Sequence, residues 1–419
     1  MHLKKLLVLF LLLYASNLFA QDSLPNVHLQ ELDYFKLRTE LDRNTTLDKE
    51  TRLYYTSLVD NAFNRNELAI AHADSFKRIK SNRWTGDEII RLNEMLLDSY
   101  FKAFRYREAA ATADVLMQQY QNTDLAALQN MRDICYGLIN VPAQRAVIRD
   151  ATSIPVIRNQ IGLWEIPVQF KNTQEQFLFD TGANISTISE SYAIKLGLRL
   201  TGKTVKVNGG QGKRVDAQLG VADSLHIGNM SFYNVVFLVM PDDILRFPQV
   251  HFNINGIIGF PVINAMKEVH ITRQGRLTVP KDASVTSLNN MALNGFTPLV
   301  RSVAEDDTLI FQFDTGAANT NLFSNYYSSH RQLIADRASK DHKHIGSVGG
   351  ARKMKVYELP SLNIYVGGNK AFVRDVAVYT QDIFSAGKGI AMGNMGQDVI
   401  NQFSELVLNF KTMSLEFKN

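Results

Sequence analysis

The sequence contains a single cysteine in 419 residues, Cys135, and its formal net charge is only +4. With one cysteine no intramolecular disulfide can form, so packing alone must stabilise the fold. The small net charge gives no indication of a nucleic-acid or membrane-surface partner. After the first twenty residues, no apolar run approaches the roughly 20 residues that a helix needs to cross a bilayer, so we expect no stable membrane span.

Motifs for metal binding and for covalent catalysis are also missing. His342 and His344 are close in sequence, but they lie in a Lys-rich loop without a Cys or HExxH partner, so we interpret them as solvated surface and expect no metal or other cofactor. Ser186 and Ser189 lie outside any Gly-x-Ser-x-Gly motif, which favours hydroxyl capping of a local turn. Cys135 lies in a helical pattern and is interpreted as a buried structural thiol.

Residues 1–20 have the features of a secretory signal peptide. Lys4 and Lys5 precede an apolar run from Leu6 to Tyr14, and small residues follow near Ala20. The apolar run is too short for an ordinary membrane anchor, which is the alternative reading. We therefore expect an exported protein, in the periplasm or outside the cell.

The rest of the chain has ordinary globular composition, with 45% hydrophobic and 21% charged residues, and enough length for two or three domains. Residues 26–150 show apolar residues at three- and four-residue spacing with almost no Gly or Pro, which predicts a helical domain. Part of it is similar to a tetratricopeptide repeat, with a weaker echo about forty residues upstream; a plain helical bundle is the alternative. The residues that carry this similarity are Leu97, Tyr100, Tyr106, Ala109 and Leu116.

Near Pro155 the pattern changes to short runs rich in Val, Ile, Phe and Thr, which predicts a β-rich region to the end of the chain. This region contains an internal repeat. Residues 176–179 (QFLF) lead into 180–183 (DTGA), and residues 310–313 (IFQF) lead into 314–317 (DTGA). The fold class expected is therefore α+β multidomain, with helical hairpins followed by two all-β lobes related by pseudo-two-fold symmetry.

Each copy continues with the same parts in the same order. These are a Gly-rich turn (208–212 and 346–350), a strand pair broken by a turn (225–229 and 362–368), and an apolar pair before a glycine (257–259, IIG, and 391–393, AMG). The spacing from Asp180 to Gly259 is 79 residues, and so is the spacing from Asp314 to Gly393. Equal spacing in two diverged copies indicates a duplicated domain.

Asp-Thr-Gly at the end of an apolar strand, present twice, suits one kind of chemistry. The strand delivers each Asp to a dry interior, the Thr hydroxyl can bond to the other copy, and the Gly lets backbone approach the carboxylate. Two adjacent carboxylates cannot both ionise cheaply, so they share one proton. One can then activate a water as general base while the other, protonated, polarises a carbonyl, which is peptide hydrolysis without a metal or a covalent intermediate.

Both copies resemble the aspartic peptidases of retropepsin and pepsin type, over roughly residues 156–419. The resemblance implies lobes of crossed β-strands, a polypeptide substrate, and one active site within a monomer; a dimer in which each lobe pairs with another molecule is the alternative. The implied roles are a catalytic pair, an inter-lobe hydroxyl network with its glycines, and flaps over the substrate. These sets are Asp180 and Asp314; Thr181, Gly182, Thr315 and Gly316; and Gly209, Gly210, Gly349 and Gly350.

One departure from the pepsins affects the pH dependence. Ala183 and Ala317 follow the two glycines, as in retropepsins, where pepsins usually place a Ser or Thr that donates to the carboxylate. We therefore predict an optimum less acidic than that of pepsin. A rate that still rises below about pH 3 would contradict this prediction.

The sequence thus predicts an exported aspartic endopeptidase. Its divisions are a signal peptide (1–20), a helical domain (26–150), a first lobe (156–280), a linker (281–295) and a second lobe (296–419). The helical domain is either a pro-region that covers the cleft or a module for protein contact. The competing function is a non-catalytic peptide- or protein-binding module that keeps the fold.

Overall fold

A computed structural model describes residues 28–29, 32–120, 125–208, 214–247, 251–305, 307–347, 350–381 and 390–419. The predicted signal peptide lies outside the described residues. Within them, no helix combines the length and the apolar character that crossing a membrane would require.

The N-terminal part consists of helices in which each packs against the next one along the chain. Residues 34–138 contain α1 (Tyr34–Arg43), α2 (Lys49–Ala62), α3 (Asn66–Ile79), α4 (Gly86–Lys102), α5 (Tyr106–Gln119) and α6 (Ala126–Leu138).

Polar side chains fix where several of these helices begin. Asp33 and Asp48 accept hydrogen bonds from the first turns of α1 and α2, and Thr85 forms a reciprocal capping box with Glu88 at the start of α4. Small residues then allow close helix contact, because Ala69 and Ala73 of α3 are fully buried, as are Ala109 and Ala113 of α5. The helical prediction for this part of the chain is confirmed.

Strands dominate the remainder, so the α+β class is confirmed. The strands are β1 (Arg145–Val147), β2 (Thr152–Pro155), β3 (Ile157–Arg158), β4 (Trp164–Phe170), β5 (Thr173–Phe179), β6 (Ser186–Ser189), β7 (Arg199–Asn208), β8 (Arg214–Ile227), β9 (Met230–Met240), β10 (Arg246–Phe247), β11 (Phe252–Asn253), β12 (Gly256–Ile258), β13 (Glu268–Thr272), β14 (Arg276–Val279), β15 (Met291–Asn294), β16 (Thr297–Ala304), β17 (Asp307–Phe313), β18 (Asn321–Leu322), β19 (Ser339–Ser347), β20 (Gly350–Val366), β21 (Asn369–Tyr379), β22 (Gly393–Met395), β23 (Glu405–Asn409) and β24 (Ser414–Lys418).

Short helices interrupt the strands. They are α7 (Glu190–Leu196), α8 (Phe260–Ala265), α9 (Ser324–Ser329), α10 (Arg331–Arg337) and α11 (Gln397–Ile400), with a 3-10 turn at Asp242–Leu245.

Two large sheets divide this region into what we call the first half (β1–β14) and the second half (β15–β24). The main sheet of the first half has the order β1-β9-β6-β12-β5-β4-β8-β7, with β3 paired to β4. The main sheet of the second half has the order β15-β16-β17-β22-β18-β21-β20-β19. In each sheet, the strand before the Asp pairs in parallel with a short strand from far along the chain, β12 for β5 and β22 for β17.

A third sheet joins the two halves. Its order is β2-β14-β13-β23-β24, and β13 of the first half pairs with β23 of the second from Glu268 opposite Asn409 to Thr272 opposite Glu405. Backbone hydrogen bonds therefore tie the two halves together within one chain.

The helices pack on both halves. Asn64 donates to Asn264 (Nδ2 to Oδ1, 2.8 Å), and the rings of Phe101 and Phe296 lie 5.7 Å apart. One buried apolar core runs from the helices into the sheets. The helical part is consequently continuous with the β region.

Two predicted boundaries require correction. Residues 145–147, which we assigned to the helical domain, form β1 and pair with β9. Residues 291–294, which we assigned to the linker, form β15 and pair with β16. Short strands at domain edges carry too few residues for a periodic pattern to reveal them, and their long-range partners decide their structure.

Candidate active site

Two strand ends bring the predicted Asp residues together. β5 ends at Phe179 and β17 ends at Phe313, so Asp180 and Asp314 each follow directly on a buried strand. The backbone N–H of Asp180 donates to the carbonyl of Ile258, and that of Asp314 to the carbonyl of Met395, both at 3.1 Å. Each Asp is thereby held between two strands of its own half.

The two threonines link the halves reciprocally. The Thr181 hydroxyl donates to the carbonyl of Phe313 (2.9 Å) and accepts from the Thr315 N–H (3.1 Å). The Thr315 hydroxyl donates to the carbonyl of Phe179 (2.8 Å) and accepts from the Thr181 N–H (3.0 Å). Both threonines are fully buried, so these four hydrogen bonds form away from water and fix the distance between the strand ends.

Each glycine lies against the carboxyl group of the opposite half. A Cβ atom at Gly182 would lie 2.6 Å from Asp314 Oδ1, and one at Gly316 would lie 2.5 Å from Asp180 Cγ. Only glycine allows this approach, because real Cβ atoms do not come so close to other heavy atoms. Each glycine also donates its N–H to the carboxylate of its own half, at 2.8 Å in both cases.

The two carboxyl groups interact with each other, and both Asp residues keep some exposure to solvent. Burial, reinforced by the charge of Asp314, raises the pKa of Asp180 well above its usual range. Burial also raises the pKa of Asp314, although hydrogen bonds from Asp180, Gly316 and Asn394 act in the opposite direction. A raised pKa in both members of an adjacent carboxyl pair favours a state in which the two groups share one proton.

Our predicted match between the two apolar-apolar-Gly segments is wrong by three residues. Gly259 lies against the carbonyl of Ala183, and the glycine in the same position of the second half is Gly396, which lies against the carbonyl of Ala317. The segment that corresponds to 257–259 is therefore 394–396 (NMG), and the spacing from Asp314 to Gly396 is 82 residues. The second half replaces the apolar pair by Asn394 and Met395, which hid the match at the level of sequence.

The interpretation of Ser186 also changes. Its hydroxyl accepts from the N–H of Gly259, 73 residues away, at 3.1 Å. In the second half, the hydroxyl of Thr320 accepts from the N–H of Gly396 at 3.0 Å. A hydroxyl six residues after each Asp was the available sequence signal, and it marks a long-range contact rather than a local turn. Ser189 does make a local contact, with Ser191.

Asn394 is the site residue that sequence reasoning missed. Its Nδ2 lies 3.4 Å from Asp314 Oδ2, and its side chain is 8% exposed. Gln397, which begins α11, lies beneath the same loop and donates to the carbonyl of Thr315 at 2.9 Å. Nothing in the amino-acid pattern singles out these amides, because their importance comes from where the strands place them.

Both halves carry a long hairpin at the position predicted for a flap. β7 and β8 form the hairpin of the first half, and β19 and β20 that of the second. Gly209, Gly210 and Gly349 lie outside the described residues, and Gly350 begins β20.

Helix α6 contacts the hairpin of the first half. The N–H of Lys206 on edge strand β7 donates to Asn130 Oδ1 at 2.7 Å. A Cβ atom at Gly137 would lie 2.5 Å from Leu219 Cδ1 and 3.1 Å from Lys203 Cβ. The helical part therefore packs against this hairpin at Lys203, Lys206 and Leu219.

The remaining candidates behave as structural or surface residues. His342 is exposed. Cys135 is fully buried, and burial raises the pKa of its thiol to about 12, which confirms a structural thiol. Across the described residues, no group of three or more metal-ligating side chains is found.

A comparison with protein families supports the relationship inferred from the motifs. The family described as aspartyl protease matches residues 166–262, which include Asp180, Thr181 and Gly182 as well as the segment 257–259. This match supports an aspartic peptidase family for that part of the chain. No curated protein matches the sequence.

Proposed function

We propose that this protein is an exported aspartic endopeptidase whose active site combines Asp180 and Asp314 from two tandem, pseudo-symmetric lobes of one chain. The observation that carries the proposal is the reciprocal contact between the halves: each glycine lies against the opposite carboxyl, and each threonine bonds to the opposite strand end. Two adjacent buried carboxyl groups destabilise a fold, so a repeat with a purely structural role has no reason to keep them. A catalytic role supplies that reason.

In the proposed reaction, one carboxylate removes a proton from a water molecule, and the protonated carboxyl polarises the carbonyl of the scissile peptide bond. The water oxygen attacks the carbonyl carbon, and the protonated carboxyl gives its proton to the carbonyl oxygen, which forms a tetrahedral gem-diol. The C–N bond then breaks as the group that took the water proton gives it to the leaving amine. One hydroxyl of the gem-diol returns a proton to the other carboxylate, which restores the starting state of the pair. The raised pKa of both groups suits a pair that must hold one proton near neutral pH.

The substrate class is polypeptide, bound in extended form between the hairpins β7–β8 and β19–β20. Hairpin strands offer backbone N–H and C=O groups, so an extended peptide can pair with them while its side chains enter pockets. In the sheet shared by the two halves, β13 pairs with β23 of the same molecule. This pairing favours an active site formed within one chain.

The helical part could be a pro-region, which is lost on activation, or a module for protein contact, which is kept. We propose that it remains in the active protein. Its removal would expose apolar surface around Phe296 and take away the contact between Asn130 and Lys206. N-terminal sequencing of the purified active protein tests this proposal together with export. We expect the mature chain to begin shortly after residue 20, and a start near residue 145 would identify a pro-region instead.

The central experiment is cleavage of a peptide library by the purified protein. We expect cleavage, inhibition by a statine-type transition-state mimic, and loss of cleavage in Asp180→Asn. Asp282→Asn, which changes an exposed Asp in the same way, should leave the rate unchanged. If the wild type binds peptides but does not cleave them, the protein is a peptide-binding module and the proposed peptidase function is wrong. Partial activity in Asp180→Asn with a dimer in sedimentation would indicate that each lobe pairs with another molecule.

A further inference from the structure

The two carboxyl groups lie in matching backbone environments but have different side-chain neighbours. Ile257 is the middle residue of β12 beneath Asp180, and Asn394 is the middle residue of β22 beneath Asp314. Their positions correspond because the next residue in each strand, Ile258 or Met395, accepts the N–H of the Asp. The first half thus has an apolar side chain where the second half has an amide.

Other donors to the carboxyl groups are the same on both sides. Gly182 and Gly316 each donate a backbone N–H at 2.8 Å. The N–H groups of Ala183 and Ala317 act similarly, and neither alanine has a hydroxyl to add. The Asn394 amide, 3.4 Å from Asp314 Oδ2, is therefore the donor that distinguishes one carboxyl from the other.

Packing does not explain the amide. Asn394 is 8% exposed, and its Oδ1 is enclosed with no hydrogen-bond partner among the described residues. An enclosed carbonyl oxygen without a partner destabilises a fold, whereas Ile257, 3% exposed, fills the corresponding space without that penalty. A chemical role for Asn394 accounts for this difference.

We propose that Asn394 makes the Asp pair asymmetric: by donating to Asp314 it favours the ionised form of that carboxyl, so Asp314 is the general base and Asp180 carries the shared proton. This proposal rests on the proposed function, and it deepens it by assigning a separate role to each Asp. Asn394 acts through Asp314 and is a positioning residue.

The charged surroundings agree with this assignment. Each carboxyl faces the other as its titratable neighbour, and Asp398 on α11 is turned to Thr320, whose N–H and hydroxyl donate to it. Burial and the charge of Asp314 raise the pKa of Asp180, whereas at Asp314 the effect of burial is opposed by hydrogen bonds that include the one from Asn394.

Chemical labelling reads out the two protonation states without requiring turnover. A small epoxide is opened by a carboxylate anion, and a diazo reagent esterifies a protonated carboxyl, so peptide mapping by mass spectrometry can show which Asp carries each label. In the wild type we expect the epoxide on Asp314 and the diazo ester on Asp180. The opposite distribution would overturn the proposal.

Exchanging the side chains between the halves sharpens the test. Asn394→Leu keeps the branching of the side chain at Cγ and removes the donor, and we expect both labels to spread over Asp180 and Asp314. The double variant Ile257→Asn with Asn394→Leu moves the donor to the first half, and we expect the labels to change places. An unchanged label distribution in both variants would show that the asymmetry has another source.

The pH-rate profile gives a second readout. Loss of the donor should move the acidic limb of kcat/KM to higher pH by about one unit in Asn394→Leu, with the melting temperature equal to or above that of the wild type. A merely structural role predicts a lower melting temperature and an unmoved limb. If the wild type cleaves no peptide, the proposed function fails, while the labelling experiment still decides whether Asn394 sets the proton position.

Discussion

The first half of the β region holds its Asp through the carbonyl of Ile258, and the second half holds its Asp through that of Met395. Around these bonds the halves agree in their backbone contacts. They differ in what surrounds them: Asn394 replaces Ile257, and the hairpin of the first half packs against helix α6 whereas β20 of the second contacts α10. The comparison teaches that the backbone contacts around two adjacent carboxyl groups are kept in both halves, while the neighbouring side chains diverge.

The largest expected effect tests whether peptide cleavage requires the Asp of each half equally. Asp314→Asn should reduce kcat/KM by about 10³-fold or more, as much as Asp180→Asn, because the pair acts as a unit and neither carboxyl can hold both roles. Peptide cleavage by matched amounts of the two variants measures this. A variant that keeps a tenth of the wild-type rate would mean that one half supplies the chemistry alone.

The next effect tests the reciprocal approach of the glycines. Gly182→Ala and Gly316→Ala each place a methyl group within 2.6 Å of the opposite carboxyl, so that carboxyl must move. We expect kcat/KM to fall by about 10²-fold in both variants, since small misplacement of reacting groups has large effects on rate. Steady-state kinetics with calorimetry as a check on folding measures it. Loss in only one variant would contradict the reciprocal arrangement.

Replacing either threonine should lower the stability of the protein by a similar amount. Thr181→Ala and Thr315→Ala each remove two buried hydrogen bonds and leave a carbonyl and an N–H without partners, so we expect each to destabilise the protein by about 1–3 kcal/mol. Thr→Ser at the same positions keeps the hydroxyl and serves as the control. Thermal unfolding of the four variants gives the comparison, and equal stability of the Ala and Ser variants would argue against the network.

A smaller effect should appear in the first half only. Gly137→Ala places a Cβ atom against Leu219 and Lys203, which should displace α6 from the hairpin β7–β8. If that hairpin closes over the substrate, KM should rise about threefold to tenfold with little change in kcat, because ground-state and transition-state binding weaken equally. Gly86→Ala is the matched control, since a Cβ atom there meets nothing within 4 Å. A kcat effect without a KM effect would contradict this role.

The smallest effect concerns stability and pH. The pKa of Asp180 is raised in the folded protein, so between its unfolded value, about 4, and its folded value the folded state keeps a proton that the unfolded state has lost. Stability linked to this proton is complete below about pH 4 and is lost as the pH rises through the folded pKa. Asp180→Asn lacks the penalty and should melt about 2–4 °C higher at pH 7, with the gain vanishing near pH 4. A constant gain at both pH values in calorimetry would reject this linkage.

Much of the candidate site could be predicted because its central residues form short, local sequence motifs. Asp-Thr-Gly after an apolar strand is readable wherever it occurs, and its duplication indicated a paired site. Ser186 and Gly393 were misassigned for the opposite reason, because their roles depend on contacts with residues more than seventy positions away. Apolar-apolar-Gly is a frequent pattern. In the second half, Asn394 replaces the first apolar residue of the true segment, so the pattern was matched to the wrong residues.

The sequence by itself determined the order of helices before strands, the repeated motif and the two acidic residues, since hydrophobic periodicity and short motifs are local properties. Only the tertiary structure decided which glycine lies beneath each Asp, which amide touches Asp314, and that α6 supports one hairpin. Those contacts depend on the register between strands that are distant in the chain, and the register is fixed by the packing of the whole core rather than by any short stretch of residues.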